Sequence, residues 1–164
     1  MKVIVIGGGA AGCMAAGAAA RQGHDVTVLE RNPRPARKVM ITGKGRCNVT
    51  NNCDIDTFIR HVPENGRFLY SALNAFTPQD TMALFEEMGV SLKTERGNRV
   101  FPVSDKAVDI VDGLVKYAKV GGAHFVQGRV TELVIQDGIC CGVKLEDGSV
   151  LDAHRVIVAT GGRS

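Results

Sequence analysis

A chain of 164 residues sits in the size range of one domain and is long enough to bury a core of its own. With 45% apolar and 23% charged residues it is not disordered or fibrous, and a net charge of +3 is too weak and dispersed to mark a nucleic-acid-binding face. The apolar start is broken by Gly7-Gly8-Gly9 and preceded only by Lys2, which argues against secretion and membrane insertion.

Val3-Ile4-Val5-Ile6 is wholly apolar and β-branched, as in a strand of a parallel sheet buried on both faces. The three glycines end it, Ala10 to Arg21 reads as an alanine-rich helix, and Gly23 stands where a C-terminal cap is expected. Asp25–Glu30 is the next strand, completing a β–α–β unit. Arg31 to Cys53 reads as a long loop rich in Pro, Arg, Lys, Gly and Asn, and so as functional. Thr77-Pro78-Gln79-Asp80 opens a helix that ends at Gly89. Ser91–Glu95 and Arg99–Phe101 form a hairpin through Arg96-Gly97-Asn98, and Lys106–Lys119 carries a helical apolar stripe. A strand follows near Ala123–Val126. Asp137-Gly138 and Asp147-Gly148 then turn Val130–Ile135, Ile139–Leu145 and Val150–Asp152 into an antiparallel meander. Arg155–Ala159 is another buried parallel strand, running into Thr160-Gly161-Gly162. The expected class is α/β: a Rossmann-like parallel sheet with helices and a three-stranded antiparallel meander.

Gly7-x-Gly9-x-x-Gly12 satisfies the dinucleotide fingerprint. Gly7 takes the tight turn, Gly9 leaves room for a pyrophosphate, and Gly12 lets the helix press on the sheet. The helix N-terminus at Ala10-Ala11 offers free N–H groups and a positive dipole end to the phosphates. Glu30 lies 18 residues after Gly12, at the end of the second strand, where a carboxylate accepts ribose hydroxyls and repels a 2′-phosphate. The fingerprint alone does not separate FAD from NAD. Arg37-Lys38 and Gly43–Asn48 supply the cations and open backbone of a second cradle, which the longer FAD needs.

Met40–Asn51 (MITGKGRCNVTN), Gly97–Ala107 (GNRVFPVSDKA) and the closing VIVATGGRS resemble bacterial flavoproteins of the aminoacetone-oxidase or BaiN type, within the glutathione-reductase-like FAD superfamily. The resemblance implies an FAD-dependent oxidoreductase, with NAD(P)H as an electron donor in a full-length parent. It places the pyrophosphate on Gly7, Gly9, Ala10, Ala11 and Gly12 and the adenosine ribose on Glu30. Further cofactor contacts would come from Arg31, Lys38, Gly45, Arg46, Cys47 and Asn48. Val130 would meet the adenine through its backbone, and Ala159, Thr160 and Gly161 match the superfamily's ATG turn. Because such proteins run more than twice this length, residues 1–164 are expected to be the N-terminal part of an FAD-binding domain. An inserted domain and a C-terminal segment would follow.

Five cysteines, two of them adjacent and none in a CxxC pair, fit a reducing cytoplasm. Cys47 beside Arg46 tempts a redox role, but Cys47–Cys53 is too widely spaced for a flavin disulfide pair, and loop packing is the stronger reading. Cys140 and Cys141 alternate across a strand, so one is expected in the core. Phe58, Phe68, Tyr70, Phe76 and Phe85 are read as core rather than as a stacking surface. The four histidines have no ligand spacing, so no metal is expected, and no residue is assigned a catalytic role. The partner is a small-molecule substrate, with no nucleic acid and no membrane. The alternatives are a non-catalytic adenine-dinucleotide module, a fragment inactive on its own, and a flavin-dependent RNA-modifying enzyme, the last disfavoured by the weak charge.

Overall fold

The computed structural model describes residues 1–162; Arg163 and Ser164, the end of the VIVATGGRS stretch, lie outside the described residues. In chain order the elements are β1 (Lys2–Ile6), α1 (Ala10–Arg21), β2 (Asp25–Glu30), α2 (Arg37–Ile41), β3 (Thr50–Asn51), α3 (Ile55–Arg60), α4 (Tyr70–Ala75), α5 (Pro78–Glu87), β4 (Leu92–Glu95), β5 (Arg99–Pro102), α6 (Ala107–Gly121), β6 (His124–Gln127), β7 (Val130–Gln136), β8 (Ile139–Leu145), β9 (Val150–Asp152) and β10 (Arg155–Val158). They divide into two compact units, Met1–Val39 with residues from Leu114 onward, and Met40–Gly113.

The first unit explains the apolar run of β1. Val3 and Val5 pack with Ala16 and Ala20 of α1, Val26 and Val28 of β2, and Ala118 and Ala123. The intervening Ile4 and Ile6 face the other way, onto Leu29, Val143, Leu145 and Ala153. Successive side chains of a strand point to opposite faces, so a strand covered on both must be apolar throughout. Each such side chain contributes roughly 1.5–3 kcal/mol on burial. The parallel sheet has the order β10-β1-β2-β6, and β7-β8-β9 form the expected antiparallel meander. Asp137 and Gly138 both take positive φ (50° and 77°), as a two-residue hairpin turn demands. α1 is small-sided for a reason: a Cβ on Gly17 would lie 2.3 Å from the Tyr117 ring.

In the second unit β3-β5-β4 form an antiparallel sheet, with Leu92 opposite Pro102 and Glu95 opposite Arg99. The start of α5 follows its sequence. The Thr77 side chain accepts the N–H of Asp80, the Asp80 side chain accepts the N–H of Thr77, and Pro78 fills the first turn. Asp54 caps α3 in the same manner, accepting the Thr57 N–H at 2.8 Å.

Four expectations are corrected. Arg155–Ala159 does pair in parallel with β1, but it is not buried: β10 is the end strand of its sheet, Val156 and Ile157 are half-buried and Val158 is exposed. Arg31–Cys53 is not all loop: it holds α2, a 3-10 turn over Thr42–Gly45 and β3, each too short to leave a hydrophobic period. Of the aromatic residues read as core, Phe85 is buried and Phe58 half-buried, but Phe68 is 86% exposed and Tyr70 and Phe76 are exposed. Tyr70 instead donates its hydroxyl to Asp56. Neither Cys140 nor Cys141 reaches the core; both are half-buried, because only part of β8 is covered.

Candidate functional site

The fingerprint glycines occupy the turn from β1 into α1, and the reasons for them differ. Gly7 has φ 100°, and a Cβ there would lie 2.6 Å from the Ala159 carbonyl oxygen. A Cβ on Gly12 would strike the Gly7 carbonyl oxygen at 1.9 Å, so the helix could not sit against its strand. Gly8 is tight against Glu30 and Pro35, each about 3.2 Å from its missing Cβ. Gly9 has no such reason. It is the N-cap of α1 with extended backbone (φ −72°), and its Cβ would meet nothing within 4 Å. Neither conformation nor protein packing demands glycine there; a ligand lying over the turn would.

The end of α1 is chemically open. No side chain caps it and no acid stands in its first turn, so its N–H groups and positive dipole end remain for an anion. Ala10 and Ala11 are exposed on that first turn. These features fit the pyrophosphate of a dinucleotide.

Glu30 ends β2 beside this turn. Its Oε2 accepts the Gly8 N–H at 2.8 Å, so the carboxylate is tied directly to the glycine loop. The Glu30 carbonyl accepts the Gly128 N–H at 2.9 Å, which brings the start of β7 and Val130 to the same end of the sheet. Val130 pairs with Leu145 and is half-buried. The segment after Glu30 folds back over the glycines, with Ala36 donating its N–H to the Gly8 carbonyl at 2.8 Å. Arg31 is exposed, and Lys38 Nζ donates to the Gly162 carbonyl at 3.3 Å, just past Thr160 and Gly161. Ala159 donates its N–H to Ile6, holding the ATG turn against the end of β1. The first unit therefore gathers Gly7, Gly9, Ala10, Ala11, Gly12, Glu30, Val130 and Ala159 about one end of β1 and β2.

Gly45, Arg46, Cys47 and Asn48 lie in the second unit, where their surroundings are mostly protein. Arg46 donates to Glu95 at 2.5 Å and to Asp105 at 2.8 Å, and its guanidinium stacks 4.2 Å from the centre of the Phe101 ring. Lys93 bonds the same Asp105 at 2.7 Å. Hydrogen bonds from Arg46 hold the Glu95 carboxyl below its usual range, and those from Lys93 and Arg46 do the same for Asp105. Cys47 is buried in left-handed backbone (φ 59°), and burial pushes its thiol pKa up, the behaviour of a packing residue. Gly45 and Asn48 are exposed, the Asn48 amide nitrogen facing the carbonyls of Thr50 and Val100. Among the described residues no group of three or more His, Cys, Asp or Glu is placed to hold a metal, and no helix is long and apolar enough to cross a membrane.

One residue beside Glu30 escaped the sequence reading. Asn32 donates to Glu30 Oε1 through its backbone N–H at 2.8 Å and its Nδ2 at 2.7 Å. The available signal was an asparagine just past a strand end, a residue type that bonds locally to its neighbours.

The family model of the HI0933-like protein Rossmann domain matches residues 1–164. The chain is 34% identical over 167 residues to the 3-dehydro-bile acid delta(4,6)-reductase of Clostridium scindens, covering 99% of this chain and 39% of that protein. It is 30% identical over 164 residues to the ribosomal RNA dihydrouridine synthase of Escherichia coli, covering 98% of this chain and 39% of that one. Among solved structures, THI4 of Thermovibrio ammonificans gives a TM-score of 0.69 at 19% identity, over 98% of this chain and 56% of the other. Glycine oxidase of Bacillus cereus gives 0.62 at 17% identity, over 97% and 56%. At these identities the structural likeness shows the shared fold. The chain thus spans about two fifths of the length of the curated relatives it matches (39%).

Proposed function

The chain belongs to the HI0933-like family, whose Rossmann domain it carries, and from that premise we propose that it is the FAD-binding portion of a flavin-dependent oxidoreductase acting on a small organic substrate. The observation that carries this reading is Gly9: a glycine with an ordinary φ and open space over it, at the head of an uncapped helix. Gly7, Gly9, Ala10, Ala11 and Gly12 hold the pyrophosphate by backbone N–H groups and the helix dipole. Glu30 accepts from the adenosine ribose, and its negative charge disfavours a 2′-phosphate. Val130 lies towards the adenine, and Ala159–Gly161 borders the site from the end of β10. Arg31 and Lys38, in the same unit, take further contacts, whereas Arg46 and Cys47 are engaged by protein within the second unit.

When bound, FAD supplies hydride or electron transfer, with NAD(P)H a fitting donor in a longer protein. The residues of this chain orient the cofactor. The substrate-facing groups belong to an inserted domain and a C-terminal segment of a longer cytoplasmic protein. Titrating the chain with FAD, NAD and ADP, with visible spectra recorded alongside, tests the reading. FAD is expected to bind more tightly than ADP. Equal affinities would mean that this chain forms only an adenosine half-site, and no binding of either would sink the proposal.

A second reading, an RNA-modifying flavoenzyme, is favoured by the likeness to the E. coli ribosomal RNA dihydrouridine synthase. It predicts RNA affinity that falls steeply with salt, which a small-molecule enzyme of net charge +3 does not show.

A further inference from the structure

Glu30 is held before any ligand reaches it. A carboxylate offers about four lone-pair positions. At Glu30, Gly8 N–H fills one on Oε2, while Asn32 N–H and Asn32 Nδ2 fill two on Oε1. The two backbone donors come with the path of the chain, and any residue but proline would supply them. The Asn32 amide is the one donor that depends on a side chain. A free glutamate spreads its carboxylate over many rotamers, and fixing it on binding costs conformational entropy. Asn32 is half-buried and neutral, so it restrains the carboxylate without cancelling its charge.

We propose that Asn32 is a positioning residue for the adenosine ribose, its Nδ2 pinning Oε1 of Glu30 so that Oε2 keeps one lone pair aimed at a ribose hydroxyl. The proposal rests on Glu30 being the ribose ligand. It also narrows that role, since with Oε1 occupied by Asn32 the carboxylate takes one hydroxyl on Oε2 rather than both.

The test is calorimetric titration of the whole chain with FAD, ADP and 2′,3′-dideoxy-ADP. The proteins are wild type, Asn32→Ala, Glu30→Gln and the double variant. Asn32→Ala is expected to weaken ADP and FAD about tenfold, the scale of one charge-assisted hydrogen bond. It should leave dideoxy-ADP affinity unchanged, and it should add nothing in the Glu30→Gln background. A merely structural role would weaken all three ligands alike. Asn32→Leu, close in size and neutral but lacking the donor, guards against a folding defect in the alanine variant and should lose about as much. If either variant binds ADP like wild type, or dideoxy-ADP suffers equally, the positioning role is overturned while the proposed function stands. If wild type binds neither ADP nor FAD, both fall together.

Discussion

A Cβ on Gly12 would overlap the carbonyl oxygen of Gly7 at 1.9 Å, so the first turn of α1 touches the end of β1 backbone to backbone. Gly9, three residues earlier, has open space over it. Both belong to one fingerprint, yet they answer to different forces, and substitution separates them.

Gly12→Ala forces α1 off its strand and is expected to destabilise the chain by about 3 kcal/mol, as overpacking does. Gly9→Ala should cost only about 1 kcal/mol, the usual N-cap preference for Gly over Ala. On the proposed reading it should nevertheless weaken FAD at least about tenfold, because the methyl would stand where the phosphate oxygens would meet the N–H groups. Urea denaturation and FAD titration of both variants decide this. A Gly9→Ala protein that binds normally would remove the main support for the site.

Arg46 is expected to stabilise the second unit through Glu95 and Asp105. Both carboxyls have folded pKa values below the ordinary 4.5 and 3.8, Glu95 through its bond from Arg46 and Asp105 through Lys93 and then Arg46. A depressed folded pKa gives stability that is complete above the unfolded value and lost as pH falls through the folded one. Arg46→Met keeps an apolar stem over Phe101 but removes the charge. Its stability deficit should be present at neutral pH and shrink as pH falls below the carboxylate range. A deficit independent of pH would assign the role of Arg46 to packing on Phe101 instead.

Thr77→Ala removes the cap of α5 and half of its reciprocal bond with Asp80, at a cost of about 1 kcal/mol. Thr77→Ser keeps the hydroxyl and should recover most of that loss. Thermal denaturation followed by circular dichroism distinguishes the three proteins. Equal melting of Thr77→Ala and wild type would show that the cap contributes nothing to global stability.

Cys13 is fully buried on α1, and burial, followed by the charge of Glu30, raises its thiol pKa from 9.0 to about 11. Below pH 9 the thiol is neutral in both folded and unfolded chains, and this contribution to stability is intact. Between about 9 and 11 only the unfolded chain loses the proton, so stability should fall as pH rises through that window. Cys13→Ala should lack that part of the slope. At pH 8 a thiol reagent should spare Cys13 until denaturant is added; rapid native labelling would contradict its burial.

Much of the fold was legible because its signals are local. The apolar run of β1 announced a strand covered on both faces, Thr77-Pro78-Gln79-Asp80 announced a cap, and Asp137-Gly138 announced a tight turn. Each depends on a few adjacent residues whose backbone preferences the chain itself imposes. The glycine spacing and Glu30 likewise lie within one β–α–β unit, where sequence distance and spatial distance agree.

Other features depended on residues far apart in the chain. Nothing local to Arg155–Val158 says that it pairs with β1, or that β6 pairs with β2, because the strand order follows from which faces the whole chain can cover. Arg46 reads as a free cation until Glu95 and Asp105, 49 and 59 residues away, are folded beside it. By itself the sequence determined the strand–glycine–helix unit and its uncapped helix end, since short-range sterics and hydrogen bonding dictate them. Tertiary structure alone decided which charges stay available to a ligand, because a charge is satisfied by whatever partner the fold brings within a few ångströms.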